Sequence, residues 1–291
     1  TVEGNFTADG GTIKLDGNYP VGTNNVALGD AAGSALSTGI KNTFLGSLAG
    51  DAITTGNNIV AVGYQALSYD QQGSGSVAIG NQALTTQRFT SATGAYNVAI
   101  GQQAGQEVTT GIKNVFIGGL SGDATTTAEE NTAVGYESMT TNTTGGDNSA
   151  SGAYSLRQNT TGSNNAAMGY SALERNSTGG NNTAVGYKAL EANTTASSNT
   201  AVGYQAGYST TVGYNNTLFG DRAGYSNVGN RGNTFLGQES GYSYNRAGSG
   251  DTFNTFVGYR AGYAQSTEGL YNTYVGLFSG NTITTGSKNT I

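Results

Sequence analysis

Small, apolar and polar residues follow one another along this chain in a fixed order, and the order repeats. In NTAVGYKALEANTTASSNTAVGYQAG, which begins at Asn182, an asparagine leads three small or β-branched residues into a glycine. The same phrase returns 17 residues later, at Asn199. The anchor is Asn-x-x-x-Gly. Its glycine recurs at Gly29, Gly46, Gly63, Gly80, Gly101, Gly118, Gly135, Gly152, Gly169, Gly186, Gly203, Gly220, Gly237, Gly258 and Gly276. The step is 17 residues except for 21 before Gly101, 21 before Gly258 and 18 before Gly276.

Each unit is numbered here from its asparagine as position 0. Position +1 is Val, Thr, Ser or Ala, and position +3 is large and apolar in every unit but that of Ser151. Position +2 is Ala in most units and Phe, Leu or Tyr in the others. Position +7 is Ala or Ser, and position +8 is Gly, Leu or Met. A corner follows near +12 to +14, read as Thr-Thr-Gly from Thr54, Thr109, Thr143, Thr160 and Thr284. A unit this short cannot hold a helical hairpin repeat, which needs about 34 residues. A three-residue β-branched strand, a glycine and a Thr/Gly corner suit one coil of a β-solenoid.

The expected fold is therefore all-β, a parallel β-solenoid or left-handed β-roll of about fifteen coils over residues 25–291. Residues 1–24 lack the repeat and hold Pro20, the only proline; they are expected to form a connector or cap. At a strand spacing of about 4.8 Å the rod would be about 70 Å long. Like residues on successive coils would form ladders of Asn and of Thr, their amides and hydroxyls satisfied between coils. In a strand, +1 and +3 share one face while 0, +2 and +4 share the other. Both faces are apolar or small, so both are expected to be buried. One face fills the coil; the other, assigned to +2 and +4, would pack copies of the chain about an axis in a homotrimer.

Composition narrows the chemistry. Leu, Ile, Val and Phe supply only 50 of 291 residues, a proportion often seen in disordered chains. Yet only 10% of residues are charged and the net charge is −6, so self-repulsion is weak and order must come from arrangement. With no His and no Cys there is no imidazole base, thiolate nucleophile or disulfide. No Lys/Arg cluster exists to neutralise phosphates, which argues against a nucleic-acid partner. No apolar run reaches the roughly 20 residues of a membrane-spanning helix. Neither a nonapeptide calcium repeat nor a phosphate-binding glycine loop is present. No cofactor, metal ligand set or catalytic residue is expected.

NNVALGDAAG at Asn24, SGSVAIGNQAL at Ser74 and YNVAIGQQAG at Tyr96 resemble the head repeats of YadA-like trimeric autotransporter adhesins. NTAVGYQAGYS at Asn199 and NTFLG at Asn42 are more similar to repeat regions of bacteriophage tail fibres, those of cyanophages in particular. The opening GGTIKLDGNYPVGTNNVALG at Gly10 has the same character. The resemblance spans residues 25–291 and implies a virion or extracellular location. It also implies a trimeric rod, attachment to other virion tail proteins, and recognition of a host surface glycan or outer-membrane receptor. The 17-residue unit is longer than the usual adhesin head repeat, so a cross-section different from that family's is expected.

Candidate contacts are the residues that break or decorate the repeat. The four-residue insertions bring in Arg88 and Phe89 in one place, and Tyr244, Asn245 and Arg246 in the other. Extra residues in a solenoid go to its surface. Tyrosines recur at +5 (Tyr64, Tyr136, Tyr170, Tyr187, Tyr204, Tyr259) and at +9 (Tyr208, Tyr225, Tyr242, Tyr263), where stacked rings could present a sugar platform. The acidic residues are scattered among the corners, with Glu129 and Glu130 as neighbours on opposite sides of the chain. Three functions compete: a structural fibre or adhesin, a monomeric ice-binding solenoid using the corner threonines, and a glycan-cleaving tailspike built on paired carboxylates.

Overall fold

A computed structural model describes residues 22–244, 250–264 and 269–291. Among them every regular element is a β-strand. Fifteen strands of three residues, from Val26–Leu28 to Thr273–Val275, form one parallel sheet whose order follows the chain. Fourteen turns thus join fifteen strands, and a parallel bridge from Thr273 to Thr290 opens the next. Register is that of the repeat: Thr183 pairs with Thr200, Ala184 with Ala201 and Val185 with Val202. The chain is a β-solenoid, as the spacing predicts. Of the connector expected over residues 1–24, all but the last three residues lie outside the described ones.

The coil closes at four residues with positive φ. Positions −1, +6 and +8 adopt the left-handed helical conformation, as at Asn181 (φ 58), Lys188 (φ 55) and Leu190 (φ 51). Position +4 goes further, with φ between 127 and 143, which only glycine tolerates. Stacking imposes the same choice: a β-carbon on Gly29 would lie 2.5 Å from the carbonyl of Gly46 in the next coil.

The faces are the reverse of those expected. Position +2 points into the coil, and Phe44, Ala61, Ala184 and Tyr274 are all fully buried. Position +4 lies against its own chain. The outward column is +3, where Leu28, Met168, Phe219 and Val275 are 58, 54, 51 and 59% exposed. A three-residue strand turns its middle residue inward and its flanking residues outward, so the central position belongs to the core.

The core follows a rule of complementary volume between +2 and +8. Where +2 is Phe, Leu or Tyr, +8 of that coil is glycine; where +8 is Leu or Met, +2 is alanine. The large +2 side chain also presses toward the preceding coil. A β-carbon on Gly33 would lie 2.6 Å from Phe44, and one on Gly105 2.8 Å from Phe116. The +8 residue before a large +2 is therefore glycine as well, which explains the coil of Ala99 with Gly105 and that of Ala201 with Gly207. A left-handed Leu such as Leu190 costs about 1–2 kcal/mol of backbone energy. Full burial of its side chain contributes about 1.5–3 kcal/mol in return.

Polar ladders line the rest of the interior. The Nδ2 of Asn182 donates to the Ala196 carbonyl at 2.8 Å, and its Oδ1 accepts the backbone N–H of Asn199 at 3.0 Å. Two coils lack the asparagine, carrying Ile59 and Ser76 instead. There Asp70 takes over: its carboxylate accepts from the N–H groups of Gly73 and Phe89 and from Gln87 Nε2, at 3.2, 2.9 and 2.7 Å. Gln87 in turn accepts from Asn97, which restarts the ladder. A second ladder runs at +11 from Asn142 through Asn159, Asn176 and Asn193, the Nδ2 of each of the last three donating to the preceding Oδ1 at 2.7–2.8 Å. It stops at Thr210, leaving Asn193 Oδ1, Thr210 Oγ1 and both amide atoms of Asn227 buried without a partner. The corner threonines form the third ladder: Thr126, Thr143 and Thr160 donate to the next coil's carbonyl at 3.0, 2.9 and 2.9 Å.

Three substitutions test the packing and the ladder. Ala61→Phe alone should lower stability by about 1–3 kcal/mol by overpacking against Leu67. Adding Leu67→Gly should recover most of that loss, since Gly50 already leaves room in the coil before; thermal unfolding of both variants measures it. Thr210→Asn should raise the melting temperature, because it gives Asn193 a donor and Asn227 an acceptor, each bond contributing about 1 kcal/mol.

Candidate binding surface

Positions +5, +6 and +9 meet on one face of the rod. The Arg260 guanidinium sits 5.2 Å from the Tyr259 ring centre at +5 and 5.0 Å from that of Tyr263 at +9. Corners that return to the same φ in every coil place these side chains one above another. Tyr208, Tyr225, Tyr242 and Tyr263 stack as expected, with successive centres 5.1 Å apart and planes within 8°. Tyr170, Tyr187 and Tyr204 form a second stack at 5.5 and 5.3 Å. Tyr136 and Tyr154 extend it edge to face.

This geometry changes what the columns can do. Tyr225, Tyr242 and Tyr187 each carry a ring on both sides, and a sugar cannot enter between rings 5 Å apart. An inner ring offers only its edge and hydroxyl. Stacking of a pyranose on an aromatic face, the chemistry that motivated these columns, is confined to the end rings.

The insertion residues do not all reach the surface. Phe89 is buried, its ring over Gly73, because its N–H must reach Asp70. Tyr244 is fully buried between Phe235 and Phe256; its hydroxyl donates to the Gly269 carbonyl and accepts from Asn254. Both fill the widened coil from within. Arg88 is exposed, with its backbone N–H bonded to Thr109. Asn245 and Arg246 lie outside the described residues. The most exposed aromatic side chain among the described residues is Tyr96, at 62%. It was not among the expected contacts, although its sequence signal is plain: an aromatic residue at −1, a position that is small, polar or charged in every other coil but those of Phe253 and Tyr271.

Charged groups on the face are mostly paired across coils. Arg157 reaches Glu137 at 2.8 Å and Glu174 at 3.8 Å, and Arg260 reaches Glu239 at 2.5 Å. Lys113 holds Glu130 at 2.8 Å, and this ion pair pulls the carboxyl below its usual range. Among the described residues no three carboxylates come close enough to hold a metal ion. Asp123 Oδ1 is buried without a hydrogen-bond partner, and burial, with Glu137 and Glu107 nearby, pushes the Asp123 pKa up to about 6.

No protein-family model matches this chain, and no curated protein is similar to it in sequence.

Because the folded carboxyl of Asp123 titrates above its unfolded value, its protonated form is the one folding favours. Its contribution is fully present below about pH 4 and is lost as pH rises through about 6. Thermal unfolding should therefore show a gain in stability on lowering pH from 7 to 5. In Asp123→Asn that part of the pH dependence should disappear.

Proposed function

We propose that this chain is a structural fibre or adhesin segment, a left-handed homotrimeric β-roll on a virion or cell surface that displays side chains toward a host glycan or receptor. One observation carries the reading: the outward column at +3 is apolar on fourteen of fifteen strands and runs the length of the rod. A strip about 70 Å long and roughly 10 Å wide presents on the order of 700 Å² per chain, the scale of a stable protein interface rather than of a free surface. A second copy supplies the same strip at the same spacing, and three such rods around an axis bury all three strips. The phage-fibre resemblance of the repeat units supports this partner and the virion setting. The corner threonines support it against ice binding, since their hydroxyl protons already serve the next coil.

Sedimentation equilibrium at micromolar concentration should give three times the 29.5 kDa chain mass. Val134→Lys with Leu236→Lys places charge in the strip without touching the core and should shift the protein toward monomer. A wild-type monomer would sink the proposal.

A further inference from the structure

The three places where the 17-residue step is broken share a feature that the rest of the chain lacks. The residue at −1 just after each lengthened step is aromatic: Tyr96, Phe253 and Tyr271. At −1 every other unit carries Asn, Lys, Gly, Glu, Asp or Ser. Those are mostly residues that suit a left-handed corner or a solvated surface. A bulky ring at φ 48–57 is a costly choice there.

The rings have built seats. The coil before Tyr96 carries Gly75 at −1, and the coil before Phe253 carries Gly232. A β-carbon on Gly75 would lie 2.6 Å from Tyr96 Cδ1, and one on Gly94 2.5 Å from Cε2. A β-carbon on Gly232 would lie 2.5 Å from Phe253 Cδ1. The Tyr96 ring thus rests on two bare α-carbons. Each seat is framed by an extra two-stranded sheet, Gly73–Ser74 with Thr93–Gly94 and Asn230–Arg231 with Gly250–Asp251. Phe253 and Tyr271, 49 and 51% exposed, stack on each other at 5.8 Å. The next residue up the −1 column is a lysine in both places, Lys113 and Lys288. The order glycine, aromatic, lysine is therefore built twice, about 43 Å apart at nine strand spacings.

We propose that Tyr96 and the Phe253–Tyr271 pair are two sugar platforms, each taking a pyranose unit of a neutral polysaccharide lying along the rod. The ring takes the apolar face of the sugar, and the lysine, which in the case of Lys113 also holds Glu130, donates its remaining N–H groups to the hydroxyls. Unlike the inner rungs of the tyrosine columns, Tyr96 has no aromatic ring of the described residues stacked on it. Two platforms on one rod would let a long chain bind at both, so affinity should grow with glycan length. This rests on the glycan-binding part of the function proposed above, and not on the trimer.

The probes are linear neutral hexasaccharides of glucose, mannose and galactose, together with the corresponding polysaccharides. Binding to the full chain is read by saturation-transfer NMR and by tyrosine fluorescence, which no tryptophan obscures. Tyr96→Leu and Tyr271→Leu keep an apolar cover over the glycines and over Phe253 but remove the outer aromatic face; Tyr96→Phe keeps both. At least one sugar should bind, with Tyr96→Phe close to wild type and the double Leu variant at least tenfold weaker. Melting temperature and sedimentation should stay unchanged. Ring-proton shifts of Tyr96 in the wild type test the same contact without a variant. The proposal is overturned by no binding to any probe, by equal binding of a folded double Leu variant, or by ring shifts absent on binding. It is also overturned if Tyr96→Leu changes the oligomeric state, which would make the ring a chain-to-chain contact. A monomeric wild type that binds through Tyr96 would reject the trimer and leave the platforms standing.

Discussion

In-register stacking at one strand spacing is the constraint on which the rest of this structure depends. Every residue meets its own counterpart above and below, so each column must tolerate itself. Asparagine does, because its amide donates and accepts along one line, as from Asn182 to Asn199. Glycine at +4 does, because a β-carbon there would strike the next coil's carbonyl. Tyrosine does by stacking its rings. A chain with so few large aliphatic residues folds because these columns satisfy buried polar groups repeatedly, and burial without a partner would be costly at each of them.

The same constraint explains the thin core. A coil of 17 residues encloses room for one large side chain from either +2 or +8, and the neighbouring coil shares that space. Volume is therefore traded between two columns over distances of one or two coils. Where the trade or a ladder lapses, the structure shows it: Asp70 and Gln87 bridge the gap at Ile59 and Ser76, while the +11 ladder ends unpaired at Asn193 and Asn227. The rod is thus most exacting inside and free to vary at its corners, where the exposed aromatics and ion pairs lie.

That division decides how the outer surface can be used. The +3 column is uniform and apolar, a shape suited to a partner with the same repeat. The corner face is varied, with stacked tyrosines, inter-coil ion pairs and the seated ring of Tyr96.

The period, the strands, the stacking register and the ladders of Asn, Thr and Tyr were legible in the residues alone, since a 17-residue phrase with one glycine has few ways to stack. The +2 and +8 exchange was equally written there, and so was the aromatic that follows each broken step. Both lie in relations between distant positions rather than in any one motif. The face assignment was not legible. Apolar residues at both +2 and +3 leave the inward side undecided, and only the closed path of the coil turned +2 inward and +3 outward. Nor was the fate of Phe89 and Tyr244: an insertion reads as a surface loop, but a widened coil opens interior volume, and an aromatic ring beside it fills that volume rather than leave it empty.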